Sequence, residues 1–399
     1  MYYNNSINNN QIITSILDND IYKFCMQQAI FHNYKKIKVK MKFYSRDENN
    51  FGKYSNSILE QIKMMENVRL TIKEFYFLQK FSFFKIDYLN WLYRFSYNTK
   101  DVVIYNKNRK LYIEIEGLWC NVILWETPLL SIISEIILND RYPNIKTKFI
   151  IDNLNKKIKN FYYFSKKFNI SKFYIVDFGT RRRFSKKSHY KIVSFLTKKF
   201  PNFIGTSNLK LSEINNIPCL GTQSHEWYQV HQQIVNNIVI SQKIALYKWL
   251  KEYPKNINIA LTDCINTDVF LKDFDFNLSR LYNGVRNDSG DPIVWANKII
   301  SHYKKFNIKT SNKILVFSNN LNFKKSLFIY LKYFNKINLL FAIGTNLTCD
   351  IPNVKPLNIV IKVIKCNDMP VAKISDSFDK IVCCDKSFLI YIKKIFNIK

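Results

Sequence analysis

The sequence predicts an α/β protein in which an irregular β/α barrel is joined to an α+β domain built from the N-terminal region and the C-terminal tail. Two observations carry this expectation. From about Ser171 onward, seven short apolar runs each end abruptly in small or polar residues, and helical segments lie between several of them. The chain has 8 glycines in 399 residues. Six of them fall in five short segments: DFGTRRRFS (177–185), GTSN (205–208), GTQSHEWYQVH (221–231), GVRNDSGDP (284–292) and GTNLTCD (344–350). Glycine serves where backbone turns with positive φ or approaches something closely. Short strands alternating with helices indicate βα units whose parallel strands are covered on both faces. An open doubly wound sheet would gather its site at one switch point. Here several strand ends carry Arg, His, Asp, Ser or Thr, as the loops of a barrel mouth do.

Along the chain, residues 1–140 read as the α+β domain. Its strands are IKVKMKFYS, VVIYN and LYIEIEG, set among aromatic-rich helical stretches. Residues 141–356 read as the barrel, with strands in KFYIVDFGT, NFIGTSN, IPCLGT, INIALTD, LYNGVRNDSG, KILVFSNN and NLLFAIGT. Helices are expected from Glu226 to Lys251, Ile293 to Phe306 and Phe323 to Phe334. The tail 357–399 is strand-like again (LNIVIKVIKC, AKISDS, IVCCD), ends in a short basic helix, and is expected to pack back on the first domain.

Composition narrows the function. Hydrophobic residues make up 47%, which suits a large folded core. A net charge of +31 would ordinarily suggest a polyanion partner. The cations, however, are mostly Lys spread along the whole chain. With abundant Asn, Ile, Phe and Tyr, this matches the bias of an AT-rich genome better than a nucleic-acid-binding surface. A compact anionic metabolite fits the charge. The eight cysteines form no CxxC pair and read as reduced core residues. Met1 to Gln11 is polar and unlike a secretion leader, and no membrane-spanning run is expected, so the reading is a soluble cytoplasmic protein.

Three constellations carry chemistry. In GVRNDSGDP, Arg286 and Asp288 alternate to the same side of a strand end. The planar Arg fork suits a carboxylate and the neighbouring carboxylate suits ribose hydroxyls or a metal, although a local ion pair would also explain them. Arg181, Arg182 and Arg183 follow a strand and a tight turn, where rigid donors suit phosphate oxygens; one or two would reach a site and the remainder would be solvated. His225 stands just past a strand end, placed for acid, base or nucleophile work, whereas His231 lies within the helix as a structural residue. Ser318, Gly344 and Thr345 lie just before helices, where free backbone amides attract phosphate.

These segments, in this order, resemble nicotinate phosphoribosyltransferases, most closely the bacterial form. The likeness runs from LDNDIYKFCMQQAI (17–30) to the PLNIVIKVIKCNDMPVAKISDS stretch ending at Ser377, through DFGTRRRFS, GTQSHEW, LTDCINTDVFL, GVRNDSGDP and GTNLTCDIPNVKPLNIV. It implies a barrel of the type II phosphoribosyltransferase kind and a condensation of nicotinate with phosphoribosyl pyrophosphate, giving nicotinate mononucleotide and pyrophosphate. It further implies ATP as co-substrate, coupled through a phosphohistidine, magnesium with no direct protein ligand, and a homodimer. By the same resemblance His225 is the phosphorylated histidine and Asp288 a ribose-binding catalytic carboxylate. Arg286, Thr222 and Phe178 contact nicotinate, as does Tyr22, reaching in from a partner subunit. Arg181, Ser318, Gly344 and Thr345 hold phosphoribosyl pyrophosphate. The pattern departs at Ala342, at Asn319 and Asn320 in the implied phosphate loops, and at Asn19. The alternatives are a related enzyme acting on nicotinamide or quinolinate and, in another class, a basic nucleic-acid-binding protein that keeps an enzyme-like fold.

Overall fold

Apolar residues at alternate positions build the first sheet. In β1 (Lys38–Ser45), Val39, Met41 and Phe43 are buried, while Lys40 faces out and pairs with Glu114 at 2.8 Å. Strands β2 (Val102–Lys107) and β3 (Lys110–Leu118) form a hairpin whose turn residues, Asn108 and Arg109, both have positive φ. β3 pairs antiparallel with β1. The computed structural model describes residues 10–47 and 49–398. The polar residues 1–9, read above for the lack of a leader, lie outside them.

The second sheet is wholly parallel. It comprises β4 (Ile175–Asp177), β5 (Phe203–Thr206), β6 (Ile259–Leu261), β7 (Gly284–Asn287), β8 (Ile314–Phe317) and β9 (Asn338–Ile343), in the order β5-β4-β9-β8-β7-β6. The expected strand IPCLGT forms only a single bridge, Thr206 to Cys219. Pro218 lacks the N–H a regular ladder needs. The segment nevertheless closes the barrel: Thr206 N donates to Pro218 O (3.2 Å), Leu220 N to Thr206 O (2.9 Å) and Gln223 N to Ile259 O (3.4 Å). Gly205 permits this approach, since a Cβ there would lie 2.4 Å from Pro218 O. Only Gly290, at φ +70, uses glycine's left-handed freedom. Val176, Val316 and Ala342 fill the barrel interior, with Phe178, Leu220 and Leu340 against them.

Helices cover the outside. Pro292–Lys305 begins with Pro at N1, and the Asp291 carboxylate accepts from Ile293 N and Val294 N. Phe323–Tyr333 is capped by Asn322. The single helix expected over 226–251 is two, His225–Ile234 and Ser241–Glu252. Val235 is extended, and the Asn237 side chain accepts from Val239 N, which starts a new turn instead of continuing the old one.

The tail returns to the first sheet, where β10 (Ile359–Cys366) pairs antiparallel with β1. It continues through β11 (Met369–Pro370), β12 (Ala372–Lys373) and β13 (Val382–Cys383) to the helix Lys386–Ile395. Between the two sheets runs Trp119–Arg141. This helical stretch is long and apolar enough by composition to cross a membrane, but 83% of its most apolar window is buried in the fold. Its Glu126 is buried and paired with Lys23 at 2.6 Å.

Candidate active site

The C-terminal ends of the barrel strands open into a cleft of about 1020 Å³. Loops after β4, β7, β8 and β9 line it, together with residues of β10 and the tail. Phe178, half-buried at the end of β4, and Ala342 of β9 lie at its base. Ala342 is 1% exposed and packs inside the barrel, so this departure lies in a strand and not in a phosphate loop, where it was expected.

Arg286 is the most fully bonded side chain of the cleft. Its Nη1 donates to Thr222 Oγ1 (2.6 Å) and Gln223 O (3.3 Å), Nε to Ser318 Oγ (3.0 Å) and Nη2 to Asp288 Oδ1 (3.0 Å). Arg286, Asp288, Thr222 and Ser318 are thus brought together as one unit. The local ion pair and the shared site are both present. Burial would raise the Asp288 carboxyl, but Arg286 prevails and holds it well below the usual carboxylate range. The Ser318 hydroxyl is engaged with Arg286, Asp288 (2.8 Å) and Asn287 O (2.8 Å), which makes it a support for Arg286 as much as a lining group.

His225 opens the helix His225–Ile234, with Ser224 as its cap. Its Nε2 lies 2.9 Å from Asp263 Oδ1 and 3.9 Å from Asp288 Oδ2, and no hydrogen bond engages Nδ1 among the described residues. Burial, reinforced by Lys373, outweighs the two carboxylates and lowers the His225 pKa to about 4. Asp263 is fully covered. Its Oδ2 accepts from Ser289 Oγ (2.6 Å) and Ser375 Oγ (3.2 Å), with Lys373 Nζ at 3.5 Å. One ligand atom from each of His225, Asp263 and Asp288 lie within 4.8 Å of one another. Asp263 is committed to Lys373 and two serines, whereas the Asp288 side chain is 26% exposed; of the two, Asp288 fits a hard cation that keeps its waters and arrives with phosphates.

The three arginines diverge. Arg181 lines the cleft, donates to Glu126 Oε1 (3.1 Å) and lies over the Tyr22 ring at 5.4 Å. Arg182 also lines the cleft. Burial, with Arg181 and Arg46 nearby, lowers its pKa to about 10, so its charge calls for an anion. Arg183 is not the solvated remainder expected. It is fully buried and meets Asp18 in two parallel bonds. Tyr22 is 2% exposed in the single chain and does not line its own chain's cleft. Its hydroxyl is buried without a partner. Lys362 of β10 adds a cation to the cleft wall, with its pKa lowered by burial to about 8.

Gly344 and Thr345 line the cleft opposite, at the start of the short helix Thr345–Thr348. Asn320 has φ +48, the left-handed region that asparagine tolerates better than other side chains after glycine. Asn319 donates to Gly290 O (3.1 Å) and accepts from Lys380 Nζ (3.0 Å), linking two loops of the mouth. His231 is a buried structural residue, bonded to Trp227 O and Tyr34. Five of the cysteines are buried, and all eight are free.

Sequence reasoning singled out neither Asp263 nor the tail residues Lys373, Ser375 and Lys380. The signal for Asp263 was present: it ends the apolar run INIALTD just as Asp177 ends KFYIVD. Asp177 is structural, held by His189 (2.8 Å) and Thr206 (2.6 Å), so the pattern alone does not tell the two apart.

Comparison with known proteins adds an independent result. Residues 173–399 match the model of the nicotinate phosphoribosyltransferase (NAPRTase) family, and residues 17–134 match that family's N-terminal domain. A nicotinate phosphoribosyltransferase of Buchnera aphidicola subsp. Schizaphis graminum is 48% identical over 390 residues, 98% of each chain. One from Yersinia pseudotuberculosis is 47% identical over 385 residues, 96% of each chain. The crystal structure of nicotinate phosphoribosyltransferase from Vibrio cholerae superposes with TM-score 0.95 at 33% identity, covering 98% of this chain and 95% of its own. That from Porphyromonas gingivalis gives 0.90 at 28%, covering 97% and 100%.

Proposed function

The chain belongs to the nicotinate phosphoribosyltransferase family, and on that premise we propose that its cleft couples ATP cleavage to nicotinate mononucleotide formation through a phosphate carried on His225. The basic activity is phosphoribosyl transfer to nicotinate. The observation that carries the ATP coupling is the 2.9 Å contact of His225 Nε2 with Asp263. With its proton on Nε2 facing Asp263, the ring offers the Nδ1 lone pair as nucleophile, and burial keeps it neutral. Nδ1 attacks the γ-phosphorus of ATP, the P–O bond to ADP breaks, and the phosphate stays on the ring.

In the transfer step the ribose–pyrophosphate bond breaks and positive charge grows on the anomeric carbon. Asp288, at the mouth and ionised, suits that charge. Arg181, Arg182 and Lys362 suit the departing pyrophosphate and the phosphates of ATP. Magnesium, which Asp288 would hold through the ion's waters, would neutralise phosphate charge when bound. The pyridine nitrogen then bonds to the anomeric carbon. Nicotinate carries a carboxylate, and Arg286, held rigid by Thr222, Ser318 and Asp288, lines the cleft as the cation that suits it. Nicotinamide lacks that charge and would forgo the attraction to Arg286. Gly344 and Thr345 would hold the 5′-phosphate, with Phe178 against the ring. The proposal includes a homodimer, which sedimentation would read as twice 47.7 kDa, and a cytoplasmic location.

The test is a product assay. Purified protein with magnesium, ATP, phosphoribosyl pyrophosphate and nicotinate should release nicotinate mononucleotide, and His225→Ala should lose the ATP-stimulated part alone. Turnover with nicotinamide but not nicotinate would overturn the assignment. Equal ATP stimulation in His225→Ala would remove the phosphohistidine.

A further inference from the structure

Ser375 holds an uncommon backbone conformation beside the site. Its φ is +75, in the left-handed region. Of the eleven described non-glycine residues with positive φ, eight are asparagine or aspartate, which tolerate that region. Of the other three, Arg109 belongs to the hairpin turn between β2 and β3 and Ile257 to the turn just before β6, which leaves Ser375 as the one beside the site. Serine has no such tolerance, and Ser375 is 8% exposed, so solvent does not relieve it. Strain of this kind persists only where the surroundings over-determine it.

The surroundings do so here. Ile374 N donates to Cys264 O (2.9 Å), on one side of Ser375. On the other side, Asp376 N donates to Ser289 Oγ (3.2 Å), and the Asp376 carboxylate accepts from Thr267 N (2.8 Å) and Thr267 Oγ1 (2.6 Å). Gly290 N then donates to Ser377 Oγ (3.1 Å). The tail is thereby fastened to the loops after β6 and β7. The conformation sets the Ser375 hydroxyl 3.2 Å from Asp263 Oδ2, while Asp263 Oδ1 holds His225. Glycine would adopt the turn without strain but would bring no hydroxyl.

We propose that Ser375 is a positioning residue for phosphate uptake at His225: its strained backbone presents the hydroxyl that, opposite Ser289, fixes the rotation of Asp263 and through it the imidazole. The inference rests on the phosphohistidine reading. Ser289 comes from the β7 loop and Ser375 from the tail, so the carboxylate is gripped from two separate elements. Ser375 does not line the cleft, so its effect falls on the rate of phosphate transfer and not on ATP binding.

The experiment compares the full-length wild type with Ser375→Gly and Ser375→Ala. It measures the rate of phosphate transfer from γ-labelled ATP to the protein, the ATP concentration at half-maximal rate, and Tm. Both variants lose the hydroxyl and should label about tenfold more slowly, the worth of one hydrogen bond to a charged group, with the half-maximal ATP concentration unchanged. Ser375→Gly should melt above Ser375→Ala, because only glycine relieves the backbone. A purely structural serine would make labelling follow Tm, with glycine faster than alanine, and that result would overturn the proposal. Wild-type labelling in both variants would overturn it as well, leaving the phosphohistidine intact. A wild type that takes no label removes the underlying reading and this inference with it.

Discussion

Asp18 and Arg183 face each other through two parallel hydrogen bonds of 2.7 and 2.8 Å, and neither side chain has any solvent exposure. The pair joins the LDND segment to the loop after β4. It therefore helps fix Arg181, two residues before Arg183, over Tyr22, four residues after Asp18. Removing one partner leaves a buried charge unpaired, so Arg183→Met should cost about 3–5 kcal/mol in urea unfolding at pH 7. Burial alone would raise the Asp18 carboxyl, but Arg183 lowers it from 3.8 to about 2. A lowered carboxyl contributes stability that is fully present above its unfolded value and is lost as pH falls through the folded one. Wild-type stability should therefore drop by about 2 kcal/mol between pH 4 and pH 2 from this group, and Asp18→Asn should lack that part. A loss under about 1 kcal/mol in Arg183→Met would deny the pair its structural role.

His225 provides a pH test. With its pKa lowered by burial to about 4, the ring stays neutral well below the ordinary histidine value of 6.5. Transfer of γ-phosphate to the protein should run level from pH 8 to about pH 5.5 and fall only toward pH 4. A midpoint near 6.5 would mean an exposed, ordinary imidazole. Asp263→Asn should lower the plateau by about ten- to a hundredfold, since it replaces a charged acceptor at Nε2.

Arg286 makes four hydrogen bonds with three of its nitrogens, a geometry that a lysine's point charge does not reproduce. Arg286→Lys should lower kcat/KM for nicotinate by about a hundredfold, equivalent to about 3 kcal/mol. Thr222→Val, which removes one of those partners, should cost about tenfold. Steady-state kinetics on protein with an unchanged circular dichroism spectrum would decide it, and near-normal efficiency in Arg286→Lys would take Arg286 out of the nicotinate site.

The strand ends were legible because an apolar run that stops at a polar residue marks where a buried strand reaches the mouth, and β4 to β9 all follow that rule. The Arg286, Asp288 and His225 cluster was legible for the same reason. Three things were not. Consecutive arginines point in different directions, and no local pattern tells which one turns inward; Arg183 went to Asp18 because that acid comes from 165 residues away. The break at Val235 to Ile240 hides inside a run that is periodic on both sides. Lys362, Lys373 and Lys380 reach the barrel mouth only because β10 pairs with β1 and the tail then crosses the loops, a long-range arrangement with no periodic trace. Their lysine type was masked by a composition already rich in lysine.

Asn320 makes the left-handed turn in the loop after β8. Its φ of +48 is a conformation glycine adopts freely, and asparagine is among the few side chains that follow it there. In the same loop Asn319 bonds to Gly290 O and to Lys380. Asn320→Gly should change stability by less than about 1 kcal/mol and leave the KM for phosphoribosyl pyrophosphate within about twofold. Asn320→Val places a β-branched side chain at positive φ and should cost about 1–3 kcal/mol. It should also raise that KM, because the distorted loop carries Ser318, Asn319 and Asn320 into the cleft lining together. Parallel melting curves and KM measurements on the two variants separate backbone from side chain. If valine were tolerated in both, the left-handed turn would have no part in holding the substrate.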